Sequence, residues 1–294
     1  MTSPYSKTHT IAGQPLYFTE QGQGNTLVFI HGLLGNKIQW QAQIQALEAD
    51  YRCIAIDLWG HGQSQVFPEN TANLKDIAGQ LLNLLTELNI NQCSLIALGT
   101  GCAIASEMAL LAPSKINALV MINGFIGFEP EVNCAKYQLM LDDIIANKSV
   151  SAALAQQLAS LFFSSANLMT ESKAASAKTE HQVTESPIPD STAISLAKAL
   201  TALNAAQLAA LVKFAPMAIY KRDTLEDAEK LCLPSLIIAS NHNQLRTPLE
   251  AYLMQDTIDG SQLVQIASAG HWVHLEQAEQ LNPLIKDFLQ QRIN

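Results

Sequence analysis

From Thr26 onward the chain alternates short apolar runs with amphipathic segments. This alternation constrains the fold more than any other feature, because a strand buried on both faces reads as a continuous apolar run, while a helix packed on one side shows a stripe. The apolar runs predict strands at Thr26 to Ile30, Arg52 to Asp57, Cys93 to Leu98, Ala118 to Ile122, Ser235 to Ala239 and Gln262 to Ile266. Between them, Thr71 to Leu88 carries Leu74, Ile77, Leu81, Leu82 and Leu85 at helical spacing, with Thr71 or Asn73 placed to cap it. A second helix is expected after Leu98 and a last one over Glu276 to Gln291. Strands alternating with helices make a parallel sheet covered on both faces. Thr10 to Thr19, turning at Gly13, adds one or two antiparallel edge strands.

The interval between the fourth and fifth of these core strands far exceeds an ordinary connection of about 2 to 6 residues, so it holds an insertion. Val150 to Phe163 and Ile194 to Ala218 have helical periodicity, whereas Ser164 to Ala193 is rich in Ser, Ala, Thr and Glu, with prolines at Pro187 and Pro189. The reading is a core of residues 1–124 and 226–294 and a helical cap over 125–225 with a mobile segment in its middle. At 294 residues the chain has room for both. No internal repeat is visible.

A net charge of -9 without any Lys/Arg cluster argues against nucleic acid as a partner. No membrane association is expected either. The opening residues lack the apolar core of a signal peptide, and Ile194 to Ala218 is interrupted by Lys198, Asn204, Gln207 and Lys213. Cys53, Cys93, Cys102, Cys134 and Cys232 are odd in number and widely spaced, which indicates neither a disulfide framework nor a metal site. A cytoplasmic location follows as an expectation.

Five segments at strand ends carry the chemistry. Leu27 to Gly35 ends in His31-Gly32-Leu33-Leu34-Gly35, and Asp57-Leu58-Trp59-Gly60-His61-Gly62-Gln63-Ser64 follows the next strand. Leu95-Ile96-Ala97-Leu98-Gly99-Thr100-Gly101-Cys102-Ala103 passes from strand to helix through small residues. Ser240-Asn241-His242-Asn243 and Ala269-Gly270-His271-Trp272 complete the set. In this order the segments resemble the α/β-hydrolase family, whose fold is a mostly parallel, doubly wound sheet with a helical cap insertion. The resemblance runs from about Thr10 to the C-terminus apart from the cap. It implies that Leu33 and Thr100 lend backbone N–H groups to an oxyanion hole, and that Gly99, Asn243 and His271 stand at the nucleophile, acid and base positions. His61 and Asp57 belong by the same resemblance to the hydrogen bonding of their own turn. His242 is a loop residue.

Two of the three triad positions have lost their chemistry. Gly99 stands where serine belongs, so no hydroxyl attacks, and an amide at Asn243 cannot stabilise an imidazolium as a carboxylate does. Thr100 and Cys102 are poor substitutes for the nucleophile, Glu129 and Glu131 weak ones for the acid, and Asp256 and Asp259 fall too far along. Gly99-x-Gly101 also begins a dinucleotide fingerprint, but Ile104 occupies its third glycine position and the next strand ends near Asn123 instead of an acid. No cofactor is therefore expected.

The resulting reading is a protein that holds a small acyl or carbonyl ligand without hydrolysing it, in a binding or regulatory role. The alternatives are an esterase of a small acyl substrate altered at its triad, and catalysis by His271 as general base without a covalent intermediate. The sequence names neither the ligand nor the oligomeric state.

Overall fold

The computed structural model describes residues 5–164 and 193–293. Eight strands form one sheet: β1 (Ser6–Ile11), β2 (Gln14–Gln21), β3 (Asn25–Ile30), β4 (Tyr51–Ile56), β5 (Cys93–Leu98), β6 (Ile116–Ile122), β7 (Ser235–Ser240) and β8 (Gln262–Ile266). Their order is β1-β2-β4-β3-β5-β6-β7-β8, with every pair from β4 to β8 parallel and β1 and β2 antiparallel at the edge. All six expected core strands are present. The edge strands are longer than the sequence suggests, and they turn through Ala12 (φ 48°) and Gly13 (φ 80°), the two left-handed positions of a tight hairpin.

β5 lies at the centre, and all six of its residues are buried. One apolar cluster fills the side covered by α2 (Leu74–Glu87) and α3 (Thr100–Leu111), and a second the side covered by α1 (Gln41–Leu47) and the C-terminal helix Ala278–Ile293. Asn73 is the cap of α2: its side chain accepts from the Asp76 N–H, and Asp76 accepts from the Asn73 N–H in return.

Between β6 and β7 lie α4 (Glu131–Asn147), α5 (Ala152–Phe162), α6 (Ala193–Thr201) and α7 (Ala205–Ile219). They share an apolar cluster of their own, built on Leu141, Ile144, Leu154, Leu200, Leu211 and Ala215, which meets the sheet end through Leu33 and Leu34. The periodicity over Ile194 to Ala218 resolves into two helices bent by 112°. Asn204 causes the break, because its side chain caps α7 and exchanges hydrogen bonds with Gln207. Among the described residues no single helix is long and apolar enough to cross a membrane. The Ser- and Ala-rich stretch expected to be mobile lies outside the described residues, apart from its end residues Ser164 and Ala193.

Three of the longer helices lie outside the sequence expectations: α1, α4 and the one that follows β7. In α4 only Leu141 and Ile144 are buried, while Val132 and Leu139 are more than 70% exposed, so apolar residues fall on both faces and hide the period. The helix α8 (Pro248–Thr257) is announced by a capping box, Thr247 to Glu250, with Pro248 at its first position.

Candidate active site

At the head of β5 the backbone bends at Gly99 (φ 55°, ψ -119°) and enters α3. A residue with a side chain adopts such angles only at a cost of about 1 to 3 kcal/mol. Gly101 is needed for a different reason: a Cβ there would lie 2.4 Å from the Ile30 carbonyl oxygen, so α3 could not sit this close to β3. The turn after β3 packs against the same bend, with the Cβ direction of Gly32 ending 2.9 Å from the Leu98 carbonyl and 3.3 Å from the Thr100 nitrogen. Leu33 and Thr100 are thereby brought to one cavity wall.

Two neutral histidines hold that turn. His31 contacts the Gly32 carbonyl through Nδ1 (2.8 Å) and accepts from the Leu58 N–H through Nε2 (3.0 Å). His61 contacts the Trp59 carbonyl through Nδ1 (3.1 Å), and its Nε2 accepts from the N–H of Leu34, which lies at φ 63°. Burial lowers their pKa values to about 4 and about 3, which fixes each ring as a one-donor, one-acceptor brace. Beneath them the Asp57 carboxylate accepts from the Lys37 and Gln63 N–H groups (2.8 and 2.9 Å) and pairs with the buried Lys37 ammonium.

His271 is delivered to the same place by three ties. The Asn123 amide donates to the His271 carbonyl (2.9 Å) and the Gly270 carbonyl (3.1 Å). Glu276 accepts from the Gly270 N–H (2.8 Å) and from the backbone and hydroxyl of Ser164 (3.0 and 2.7 Å), while the Trp272 N–H donates to the Phe162 carbonyl (2.9 Å). The imidazole ring then packs edge-on against Phe162. A Cβ built at Gly99 would stand 2.6 Å from His271 Nε2. The ring thus fills the space in which a nucleophile's side chain would begin.

Among the described residues no carboxylate hydrogen-bonds to His271. Asn243 uses its side-chain oxygen on its own loop, accepting from the Leu245 and Arg246 N–H groups (3.0 and 3.3 Å). Its amide nitrogen and His271 Nδ1 are both buried and have no hydrogen-bond partner among the described residues. Burial, reinforced by the positive charge of Arg246, pushes the His271 pKa down to about 3. Cys102 lies under the bend, its thiol directed at the Ala97 and Ile122 carbonyls and raised to about 12 by burial, so it offers no thiolate. Thr100 lines the cavity, but no hydroxyl or thiol hydrogen-bonds to His271 among the described residues. Glu131, Asp256 and Asp259 are surface residues, as is His242.

The cavity holds about 130 Å³. Met140, Leu141, Ile144, Leu158, Leu211 and Ile219 supply the part of its apolar wall that comes over Gly99 and His271 from α4, α5 and α7. Sequence reasoning missed a polar cluster in it: Arg246 pairs with Glu129 and with Glu250 (2.8 Å), and Lys221 and Tyr137 stand beside them. Glu129, a weak candidate for the acid, is thus committed to Arg246 and to Asn133 (2.8 Å). Arg246 follows Asn243 by three positions, which was the available signal; nothing local in the sequence marks Lys221.

A family model described as alpha/beta hydrolase fold matches residues 25–278. The RutD protein of Stutzerimonas stutzeri, provisionally named a carbamate hydrolase, is 24% identical over 265 residues, covering 90% of this chain and 91% of its own. Its namesake in Pantoea ananatis is 34% identical over 114 residues, and that match spans only 42% of the relative's length. Among solved structures, a malate-bound thermophilic esterase from Thermogutta terrifontis superposes with a TM-score of 0.81 at 19% identity, covering 98% of this chain and 99% of that one. MGS-M2, an alpha/beta hydrolase enzyme from a Medee basin deep-sea metagenome library, superposes with a TM-score of 0.82 at 18% identity over 97% of each chain.

Proposed function

Because the chain belongs to the α/β-hydrolase fold family, we propose that it uses the scaffold's pocket to hold a small apolar molecule with an acyl or carbonyl group, without forming an acyl-enzyme. The observation that carries this reading is the His271 ring lying where a nucleophile would project from Gly99. Covalent catalysis needs an attacking atom activated by an adjacent base, and here base and vacancy coincide. General-base catalysis by His271 is also disfavoured. A base with a pKa of about 3 lies far from the neutral range in which proton abstraction is efficient, and among the described residues no carboxylate hydrogen-bonds to it to stabilise its charged form.

Binding is supported by what remains. The Leu33 and Thr100 N–H groups, the latter opening α3, provide donors for a carbonyl oxygen. The volume of the cavity is close to that of apolar cavities of about 150 Å³ that stay dry and take up benzene-sized molecules. Residues 125–164 and 193–225 serve as the cap over the cavity, and a ligand of about six non-hydrogen atoms gives a Kd in the micromolar to millimolar range. The names of the full-length relatives, a carbamate hydrolase and an esterase, point to the same acyl class.

Calorimetric titration with pentanamide, an acyl compound that esterases do not cleave readily, tests the reading. One saturable site with a negative heat-capacity change is expected, abolished by Ala215→Trp, which fills the cavity. Heat that never saturates, or that Ala215→Trp leaves untouched, refutes it. An esterase altered at two positions is the second reading, favoured by the braced turn at Leu33 and Leu34, and it requires turnover to return when both residues are restored.

A further inference from the structure

One half-buried reactive group in this cavity has no part in the binding described so far. Lys221 follows the end of α7 and reaches the cavity wall, where its ammonium donates to the Gly127 carbonyl and lies 5.6 Å from the Phe125 ring centroid. It has no ion-pair partner among the described residues. The cavity's carboxylate, Glu129, is taken by Arg246 and Asn133. An ammonium drawn into a largely apolar cavity, beside a second cation and without a carboxylate of its own, is favoured to shed its proton.

We propose that Lys221 is an amine nucleophile that captures small aliphatic aldehydes and ketones in this cavity as a reversible imine. The proposal rests on the reading that the cavity admits a carbonyl-bearing ligand. The nitrogen lone pair attacks the carbonyl carbon, and the C–N bond forms as the carbonyl π electrons move to oxygen. That oxygen gains a proton and the nitrogen loses one, giving a carbinolamine. Its hydroxyl then leaves as water while the C=N bond forms, so amine and carbonyl compound give imine and water, with nothing oxidised or reduced. Tyr137 lines the same cavity and is kept protonated by its burial and by the charge of Glu129, so it supplies a proton donor for the departing hydroxyl. The charged groups acting on Lys221 are Arg246, Glu129, Glu250 and Asp223, from the loops before α4 and α8, from α8 itself and from the segment after α7. Burial, followed by Arg246, lowers its pKa to about 8, so a sizeable fraction of the amine is neutral near pH 7.5.

The test is reductive trapping of the full chain with one equivalent of pentanal and cyanoborohydride at pH 7.5, followed by peptide mapping. The neutral fraction of Lys221 exceeds that of an ordinary lysine about 200-fold, and the lower nucleophilicity of a weaker base leaves labelling at least about tenfold above any other lysine. Excess pentanamide should block the label, and Lys221→Gln should lose it while still binding pentanamide. The block by pentanamide is read on the unaltered protein, so it stands even where Lys221→Gln folds poorly. Label spread over the exposed lysines with Lys221 spared overturns the proposal. Pentanamide binding in that same sample keeps the cavity reading standing, and its absence removes that reading as well.

Discussion

Gly99→Ala and Gly99→Ser put a number on the claim that His271 occupies the nucleophile's place. Both variants add a Cβ 2.6 Å from His271 Nε2 and 3.1 Å from its Cε1, inside any tolerable contact, so the ring must rotate away. The ring breaks no hydrogen bond at Nδ1 by moving, since that atom has none. It does lose the edge-on contact with Phe162, at 5.5 Å between centroids, worth about 0.5 to 1.5 kcal/mol. The new side chain also meets a positive φ of 55°, at a cost of about 1 to 3 kcal/mol. Together these make Gly99→Ala less stable by about 2 to 4 kcal/mol, a fall in Tm of about 4 to 8 °C for a chain this size. Gly99→Ser should fall less, because its hydroxyl can bond to the displaced imidazole and recover about 1 kcal/mol. Differential scanning calorimetry measures both, with Gly79→Ala as control. Gly79 lies within α2, nothing stands within 4 Å of its Cβ direction, and the substitution should raise Tm slightly. A Gly99→Ala protein as stable as its parent would refute the placement of the ring.

Acid should unfold the protein early. His31, His61, His271 and His274 are buried with pKa values lowered to about 4, 3, 3 and 3, whereas the unfolded chain takes up protons below about 6.5. The unfolded state therefore binds more protons in that window, and stability falls as pH drops from about 6.5 toward 4. Four such groups give a slope approaching about 5 kcal/mol per pH unit, so circular dichroism should show unfolding between about pH 4 and 5; a fold intact at pH 3.5 would contradict it. His274 packs against Trp40 with neither ring nitrogen partnered among the described residues, so His274→Phe should be neutral or stabilising in a urea titration, and a loss above about 1 kcal/mol would reveal a partner for the imidazole. Lys37→Met leaves the Asp57 carboxylate buried without its cation and should cost about 3 to 5 kcal/mol by the same assay; a loss under about 1 kcal/mol would mean the pair does not brace the turn.

The sheet was legible because buried parallel strands announce themselves as apolar runs, and the strand-to-helix bend at Gly99 because only small residues fit it. His271 could be placed from its Gly-His turn. What the sequence could not reveal depends on groups far apart in the chain. Asn123 reaches across to the His271 carbonyl, Glu129 meets Arg246 over a separation of 117 positions, and Lys221 enters the cavity from a helix end with no local pattern. The same holds for energetics. That Asn243 is an amide is plain in the sequence, but that its oxygen serves Leu245 and Arg246 while its nitrogen is idle is a matter of packing. The helix α4 was missed because half its apolar residues face outward, and the bend between α6 and α7 because Asn204 interrupts an otherwise continuous stripe.

Hydrolysis of p-nitrophenyl butyrate by the unaltered chain, set beside Gly99→Ser/Asn243→Asp, bears most directly on the absence of covalent chemistry. The Asn243→Asp change preserves an acceptor for the Leu245 and Arg246 N–H groups and puts a carboxylate at the position where the resemblance expects the acid. Replacing a triad aspartate by its amide costs about 10⁴-fold in rate, so the reverse change matters as much as the hydroxyl. No turnover above the rate of buffer is expected in either protein, and turnover in the double variant alone would instead favour the second reading, an esterase altered at two positions. Ester cleavage by the unaltered chain that disappears in His271→Ala would contradict the account.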